Sequence, residues 1–231
     1  MPDENARLMR LATYASVSVA VFLILLKLAA WSQSDSVSLL ATLIDSILDA
    51  FASIINLFAV RHALTPADKE HRFGHGKAEA LAGLSQSLFI AASALFLLIE
   101  VCSSVINPIE IKYPIISMVV VAITIIVTLI LVGFQQYVIR KTQSVAISAD
   151  AMHYKSDLLM NSAVILALWL STMGLSIFDP IIGGIIACYI LYSAWSILQV
   201  SMDQLMDREL PDGVRANIKK IVCAHPKALG L

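Results

Sequence analysis

The fold is decided by one stretch, Leu43-Ile44-Asp45-Ser46-Ile47-Leu48-Asp49-Ala50, in which two carboxylates interrupt an otherwise apolar run. On an α-helix, four residues advance about 400° and about 6 Å, so both aspartate side chains lie on one face, one turn apart. An aspartate near the centre of a bilayer costs roughly 2.5–3.5 kcal/mol. Two of them on one face therefore predict a compensating partner, a water-filled cavity or a bound cation.

The composition around this stretch predicts an all-α membrane protein. The chain has 231 residues, a mean hydropathy of +0.81 and only 14% charged residues, which is too apolar for a soluble globule. Six apolar windows are each long enough to cross a hydrocarbon core of about 30 Å. They cover about 11–32, 36–60, 78–106, 114–138, 144–172 and 177–202. The net charge of −1 carries no information about nucleic acid, because in a membrane protein the location of the basic residues is what matters. We expect the lipid bilayer as a partner and no nucleic acid.

The basic residues predict how the six spans are oriented. Of the sixteen Lys and Arg residues, thirteen fall in segments on one side, Lys112 alone falls on the other, and Lys27 and Lys155 lie within spans. Because basic loops stay in the cytoplasm, we expect both termini to be cytoplasmic. Lys27 lies near the outer end of the first span, where we expect it to snorkel to the headgroups. The thirteen are Arg7, Arg10, Arg61, Lys69, Arg72, Lys77, Arg140, Lys141, Arg208, Arg215, Lys219, Lys220 and Lys227.

The last segment differs from the rest. After a transmembrane domain over 1–207, residues 208–231 are polar and contain an amphipathic run with Val214, Ile218 and Ile221 on one face. This pattern is typical of the first helix of a cytosolic domain. A single helix cannot bury a core, so we expect either that most of this domain is missing from the chain or that this segment docks on something else.

The fifth span carries a second polar stripe. His153 and Asp157 repeat the spacing of Asp45 and Asp49 on a helix that runs in the opposite direction. If the two helices are neighbours, Asp49 is level with His153, and Asp45 is level with Asp157. One imidazole and three carboxylates suit a four-coordinate divalent ion such as Zn²⁺. Two alternatives stay open: the residues line a water-filled crevice, or the carboxylates pair with Lys155.

Other polar residues in the spans receive less specific interpretations. Asp150 lies one turn nearer the cytoplasm than His153, and we expect it at the entrance to the site. We expect Asn56 and Asn161 to form hydrogen bonds between helices. The fourth span is almost wholly aliphatic and is typical of a lipid-facing or packing helix.

The loop between the second and third spans is the most polar segment. Asp68, His71 and His75 have the residue types and spacing of a second metal site, although loop histidines are commonly just solvated. Lys77 and Asp207 flank the membrane on the same side, and a salt bridge between them, within or across subunits, is a further possibility.

Three motifs together carry a resemblance to a known family. Asp45-x-x-x-Asp49, the loop HRFGHGK over 71–77 and His153-x-x-x-Asp157 resemble the cation diffusion facilitators, in particular the bacterial ferrous-iron/zinc efflux branch. The resemblance implies a transport site of Asp45, Asp49, His153 and Asp157, and a second ion at Asp68, His71 and His75. It also implies a homodimer in the bacterial inner membrane. Members end in a ferredoxin-like α/β domain that supplies dimer contacts, so we expect a weakened dimer here.

The residues and the resemblance predict a transporter. Three carboxylates in a low-dielectric interior hold protons, and a metal ion must displace them to bind. We therefore expect export of Zn²⁺, and also of Cd²⁺, Fe²⁺, Co²⁺ and Mn²⁺, in exchange for protons. The ion is then a bound substrate, protons are the counter-substrate, and no catalytic cofactor is expected. The competing functions are a membrane-embedded zinc metallohydrolase, a passive channel and a non-transporting metal sensor.

Overall fold

The computed structural model describes residues 2–34, 37–106, 115–172, 178–210 and 212–224. Within these ranges the chain forms seven α-helices and no strand. The first six correspond to the six apolar windows, and the seventh corresponds to the amphipathic run. The helices are α1 (Pro2–Ser34), α2 (Val37–Ala63), α3 (Lys77–Ile106), α4 (Ile115–Thr142), α5 (Val145–Thr172), α6 (Phe178–Leu205) and α7 (Asp212–Cys223). Lys112 and Lys227 lie outside the described residues.

Five of the described helices are long and apolar enough to cross a membrane. They are α1, α2, α3, α4 and α6, over Glu4–Gln33, Thr42–Ala63, Lys77–Ser103, Met118–Thr142 and Pro180–Leu205. The helix α5 is as long, but Asp150, Lys155 and Asp157 all lie in its first half. Large apolar side chains such as those of Phe96 and Ile130 point away from the bundle, as expected for helices that face lipid.

The helix α5 lies at the centre of the bundle. It packs against α3, α4 and α6 and touches α1 and α2. The helices α3 and α6 pack along each other more extensively than any other pair, and α1 packs against α2 and α4. Polar residues on α5 are therefore surrounded by other helices and are shielded from lipid, which offsets part of their cost.

Two glycines allow helices to approach closely. A Cβ on Gly83 of α3 would lie 2.6 Å from Ser201 Oγ of α6 and 2.9 Å from Val145 Cγ1 of α5. A Cβ on Gly183 of α6 would lie 2.8 Å from Val101 Cγ2 of α3. The absence of a side chain at these positions brings the backbones together, as is common where membrane helices cross.

A buried carboxylate joins four helices. Asp150 of α5 is completely buried, and its Oδ2 accepts hydrogen bonds from Ser16 Oγ at 2.5 Å and Gln135 Nε2 at 2.7 Å. Its Oδ1 accepts a longer bond of 3.3 Å from Gln86 Nε2. The expectation that Asp150 lies at an entrance is therefore wrong. The bundle tolerates this carboxylate in its interior because donors from α1, α3 and α4 satisfy it.

Candidate metal sites

The first candidate site lies where α2 meets α5. His153 Nε2 is 3.0 Å from Asp49 Oδ1 and 3.9 Å from Asp157 Oδ2. One possible ligand atom from each of these three residues lies within 4.8 Å of those from the other two. His153 is buried, whereas both carboxylates remain partly exposed. One nitrogen and two oxygens that converge in this way form a donor set that suits a divalent transition metal.

Asp45 has a different position from the other three predicted ligands. It is exposed and does not belong to the compact cluster, although it lines the same cavity. The spacing of four residues on α2 places it one turn from Asp49, as expected. The structure thus brings together Asp49, His153 and Asp157 and leaves Asp45 beside them.

The cluster opens into a cavity of about 190 Å³, which is large enough for several water molecules. Most of the lining comes from the second half of α1 and the first halves of α2 and α4, so the cavity extends toward the end of the bundle where α2 and α4 begin. Its lining residues are Ala20, Leu23, Lys27, Thr42, Asp45, Ser46, Asp49, Thr124, Thr128, Tyr154, Asp157, Met160 and Asn161.

The opposite side of the cluster is closed by packed polar side chains. The hydroxyl of Tyr154 donates to the carbonyl oxygen of Ser16 at 3.2 Å and lies 3.0 Å from Ser53 Oγ. Tyr154, Ser53 and, further along α2, Asn56 are all buried. In the described part of the bundle, the cluster is therefore more accessible from one end than from the other.

Lys27 is part of the cavity wall. Its Nζ donates to Ser46 Oγ at 2.6 Å and to the carbonyl oxygen of Thr42 at 3.0 Å, both on α2. The expectation that it snorkels to the headgroups is therefore wrong. Because α1 packs along α2, the ammonium finds two acceptors inside the bundle. The alternative pairing with Lys155 is not observed, since the ion pairs of the described residues include none between Lys155 and a carboxylate.

The two asparagines do not form the expected bonds between helices. Asn161 Nδ2 donates to the carbonyl oxygen of Asp157 within α5, at 2.8 Å, and the residue lines the cavity. Asn56 is buried, and neither of its side-chain polar atoms has a hydrogen-bond partner among the described residues. Thr124 and Thr128, which also line the cavity, were not predicted. Their spacing of four on the aliphatic α4 was the available signal for a polar face.

The second candidate site is in the loop between α2 and α3. His71 Nδ1 lies 3.2 Å from Asp68 Oδ1, and His75 Nε2 lies 3.5 Å from Asp68 Oδ2. The backbone N–H of His71 donates to Asp68 Oδ1, and this bond, with a further one from the Glu70 N–H, holds the pKa of the exposed carboxyl below its usual value. The carboxylate is thus ionised at neutral pH. Gly74 has a φ of +80°, a conformation that suits glycine in this tight loop.

A fourth residue of this region was missed. The ring of His62, near the end of α2, contacts the ring of His75 with the centroids 4.5 Å apart. In the sequence, the only indication of a role for His62 is that it lies close to the polar loop. Its proximity depends on how the loop folds back onto the end of α2.

Comparison with known proteins identifies the family. Residues 13–206 match the model of the cation efflux transmembrane domain, which is most of the chain. The chain belongs to the cation efflux family. It is 46% identical over 230 residues to the cation-efflux pump FieF of Yersinia enterocolitica, and 45% and 43% identical to those of Cronobacter sakazakii and Serratia proteamaculans. Each alignment covers 100% of this chain and 77% of the relative.

Membership in the cation efflux family confirms the resemblance that the three motifs carried. The protein is a multi-pass membrane transporter of metal cations and not an enzyme, so the metallohydrolase alternative falls away. The family and the five apolar helices agree on the membrane as its location.

One further contact of this cation efflux protein lies at the polar end of the bundle. Lys77 Nζ, at the start of α3, is 2.8 Å from Asp207 Oδ2 and also donates to the carbonyl oxygen of Leu205 at 3.1 Å. The pair forms within one chain. Both side chains are exposed, so it contributes only about 0.2–1 kcal/mol.

Proposed function

We propose that this protein exports divalent transition-metal cations from the cytoplasm in exchange for protons, with Zn²⁺ as the preferred ion. The transport site consists of Asp45, Asp49, His153 and Asp157. The observation that carries the proposal is the convergence of Asp49, His153 and Asp157 inside an otherwise apolar bundle, where the two carboxylates also line a cavity.

The donor set supports this choice of substrate. An imidazole nitrogen with carboxylate oxygens suits Zn²⁺, and Cd²⁺, Fe²⁺, Co²⁺ and Mn²⁺ can compete for the same ligands. Asp45 completes the set when its side chain turns inward from the cavity wall. Because the ligands must lose their protons to hold the ion, metal and protons compete for one site. This competition is the physical basis of an exchange.

The position of the cavity supports alternating access. The basic residues favour an orientation in which α2 and α4 begin at the outer surface. In that orientation the cavity opens outward, and the packed side chains of Ser53 and Tyr154 close the cytoplasmic path. Loading from the cytoplasm then requires a second arrangement in which these helices separate on the inner side.

The proposal extends to the architecture. The helix α5 also crosses the membrane, which brings the number of spans to six, because it has 28 residues and its polar side chains are enclosed by α2 to α4 and α6. Both termini and residues 208–231 are on the cytoplasmic side of the bacterial inner membrane. Asp68, His71 and His75 hold a second ion in the cytoplasmic loop. The protein works as a homodimer.

The proposal is tested with the full chain in proteoliposomes under an imposed pH gradient. We expect Zn²⁺ accumulation that disappears when the gradient is collapsed and that is abolished by Asp49→Ala. Glu4→Ala removes an exposed carboxylate that belongs to neither cluster and should leave transport intact. Zinc flux without proton movement would indicate a channel, and zinc binding without flux would indicate a sensor. Either result would overturn the proposal.

A further inference from the structure

Three imidazole rings lie side by side at the loop between α2 and α3. The ring of His75 is 4.5 Å from that of His62 and 4.6 Å from that of His71, measured between centroids. The rings are inclined by 65° and 46° and are not stacked flat. All three side chains line one open cavity at the polar end of the bundle.

These separations are close to those of histidines that share an ion. In a tetrahedral zinc site with Zn–N distances of about 2.0–2.1 Å, two imidazole centroids lie about 5 Å apart. Both observed separations differ from this value by about half an ångström. The distance between the rings of His62 and His75 is nearly the same as that between His71 and His75 within the proposed loop site.

His75 lies between the other two rings and is itself incompletely satisfied. Its side chain is only 7% exposed, and its buried Nδ1 has no hydrogen-bond partner among the described residues. Its Nε2 faces Asp68. Asp68, His71 and His75 supply three ligands, whereas a closed zinc site has four. The adjacent ring is that of His62, whose side chain is exposed and forms no hydrogen bond or ion pair with the described residues.

We propose that His62 is a fourth ligand of the loop metal site, where it completes a tetrahedral Zn²⁺ centre with Asp68, His71 and His75. This inference rests on the loop site of the proposed function. His62 stands outside the group whose ligand atoms lie within 4.8 Å of one another, so it joins by a rotation of its side chain. Because His62 belongs to α2 and His75 lies two residues before α3, the bound ion would connect the end of α2 to the start of α3.

The experiment measures metal binding at the loop alone. In the purified full chain, Asp49→Ala and Asp157→Ala together remove two of the four ligands proposed for the transport site and so prevent metal binding there. Co²⁺ is then titrated and followed by its visible absorption, which is far stronger in tetrahedral than in octahedral sites. Competition with Zn²⁺ gives the affinity. Phenylalanine is the decisive replacement, since His62→Phe preserves a ring beside His75 but has no nitrogen to bind the ion. Arg72→Ala is the matched control in the same loop.

We expect His62→Phe to weaken Zn²⁺ binding at least about tenfold and to reduce the tetrahedral Co²⁺ absorption, because even the loss of an outer-shell partner costs 10–100-fold in affinity. Arg72→Ala should change neither. If His62→Phe binds as tightly as the parent, His62 is only a packing neighbour and this inference fails, whereas the loop site survives. If the parent binds no metal at the loop, both the loop site and its fourth ligand fail. Transport by the unmodified protein tests the intramembrane site separately.

Discussion

In the proposed transport site, His153 is the residue that would distinguish one metal ion from another. Its Nε2 faces Asp49 and Asp157, so it would supply the single nitrogen among oxygen donors. Replacement by aspartate leaves an all-oxygen site, which favours harder ions such as Mn²⁺ over Zn²⁺. We expect His153→Asp to lower the ratio of Zn²⁺ to Mn²⁺ transport at least about tenfold. The measurement is uptake of both ions by the same proteoliposomes. An unchanged ratio would exclude His153 from the coordination sphere.

Lys27 places a positive charge in the wall of the same cavity. Its ammonium is held by Ser46 and Thr42, beside the carboxylates that would bind the ion. A fixed cation repels a dication, so Lys27→Met should strengthen Zn²⁺ binding by roughly tenfold and slow its release. Methionine preserves most of the apolar stem. Calorimetry measures the affinity, and Lys155→Met is the control, because Lys155 does not line the cavity. Weaker binding in Lys27→Met would contradict this role.

The sequence predicted part of the site because helical spacing is local. Asp49, His153 and Asp157 could be grouped from two repeats of four residues, and the structure brings them together. Lys27 and Asp150 could not be placed in this way. Lys27 is directed by how α1 packs against α2, and Asp150 is buried because Ser16 and other donors from distant segments surround it. Such contacts between helices produce no periodic pattern in the sequence.

At the scale of the helices, hydropathy predicted where each helix lies along the chain but not which helix carries the candidate site. All six predicted windows coincide with long helices, because a span must satisfy its backbone internally and be apolar over about 20 residues. Because of its polar stripe, α5 is not among the five described helices that are apolar enough to cross a membrane by composition alone. The same stripe carries His153 and Asp157, two of the three clustered candidate ligands.

The contact at Gly83 gives a test of helix packing. Valine at this position must intrude on Ser201 and Val145, and we expect Gly83→Val to destabilise the protein by about 1–3 kcal/mol. The matched control is Gly133→Ala in α4, where an added Cβ meets no atom within 4 Å. There the better helix propensity of alanine should be neutral or stabilising, by up to about 1 kcal/mol. Thermal unfolding in detergent measures both. Equal effects of the two changes would show that α3 does not pack as described.

For the whole molecule, the cavity predicts which positions reagents can reach from each side of the membrane. After the exposed Cys102, Cys188 and Cys223 are replaced by serine, a cysteine at Asn161 should react with a membrane-impermeant maleimide added outside, because this position lines the cavity. A cysteine at the buried Ser53 should be protected from it. Intact cells are labelled, and the reaction is detected as an increase in the mass of the protein. The reverse pattern would mean that the cavity faces the cytoplasm.

At the scale of the whole molecule, charge and hydropathy predict part of the topology. The basic residues indicate an orientation, and the apolar windows indicate the number of crossings. The arrangement of the helices around α5 depends on close approaches such as that of Gly83 to Ser201, which neither property encodes.

The buried carboxylate of Asp150 predicts the phenotype of cells in which this residue is mutated. This one side chain forms hydrogen bonds with residues of three other helices. We therefore expect its loss to impair the folding of the bundle and not the binding of the metal ion directly. Cells that carry Asp150→Ala should be metal-sensitive because little protein reaches the membrane, and growth at lower temperature or stronger expression should restore their tolerance. Cells that carry Asp49→Ala should contain normal amounts of the protein and remain sensitive under every such regime.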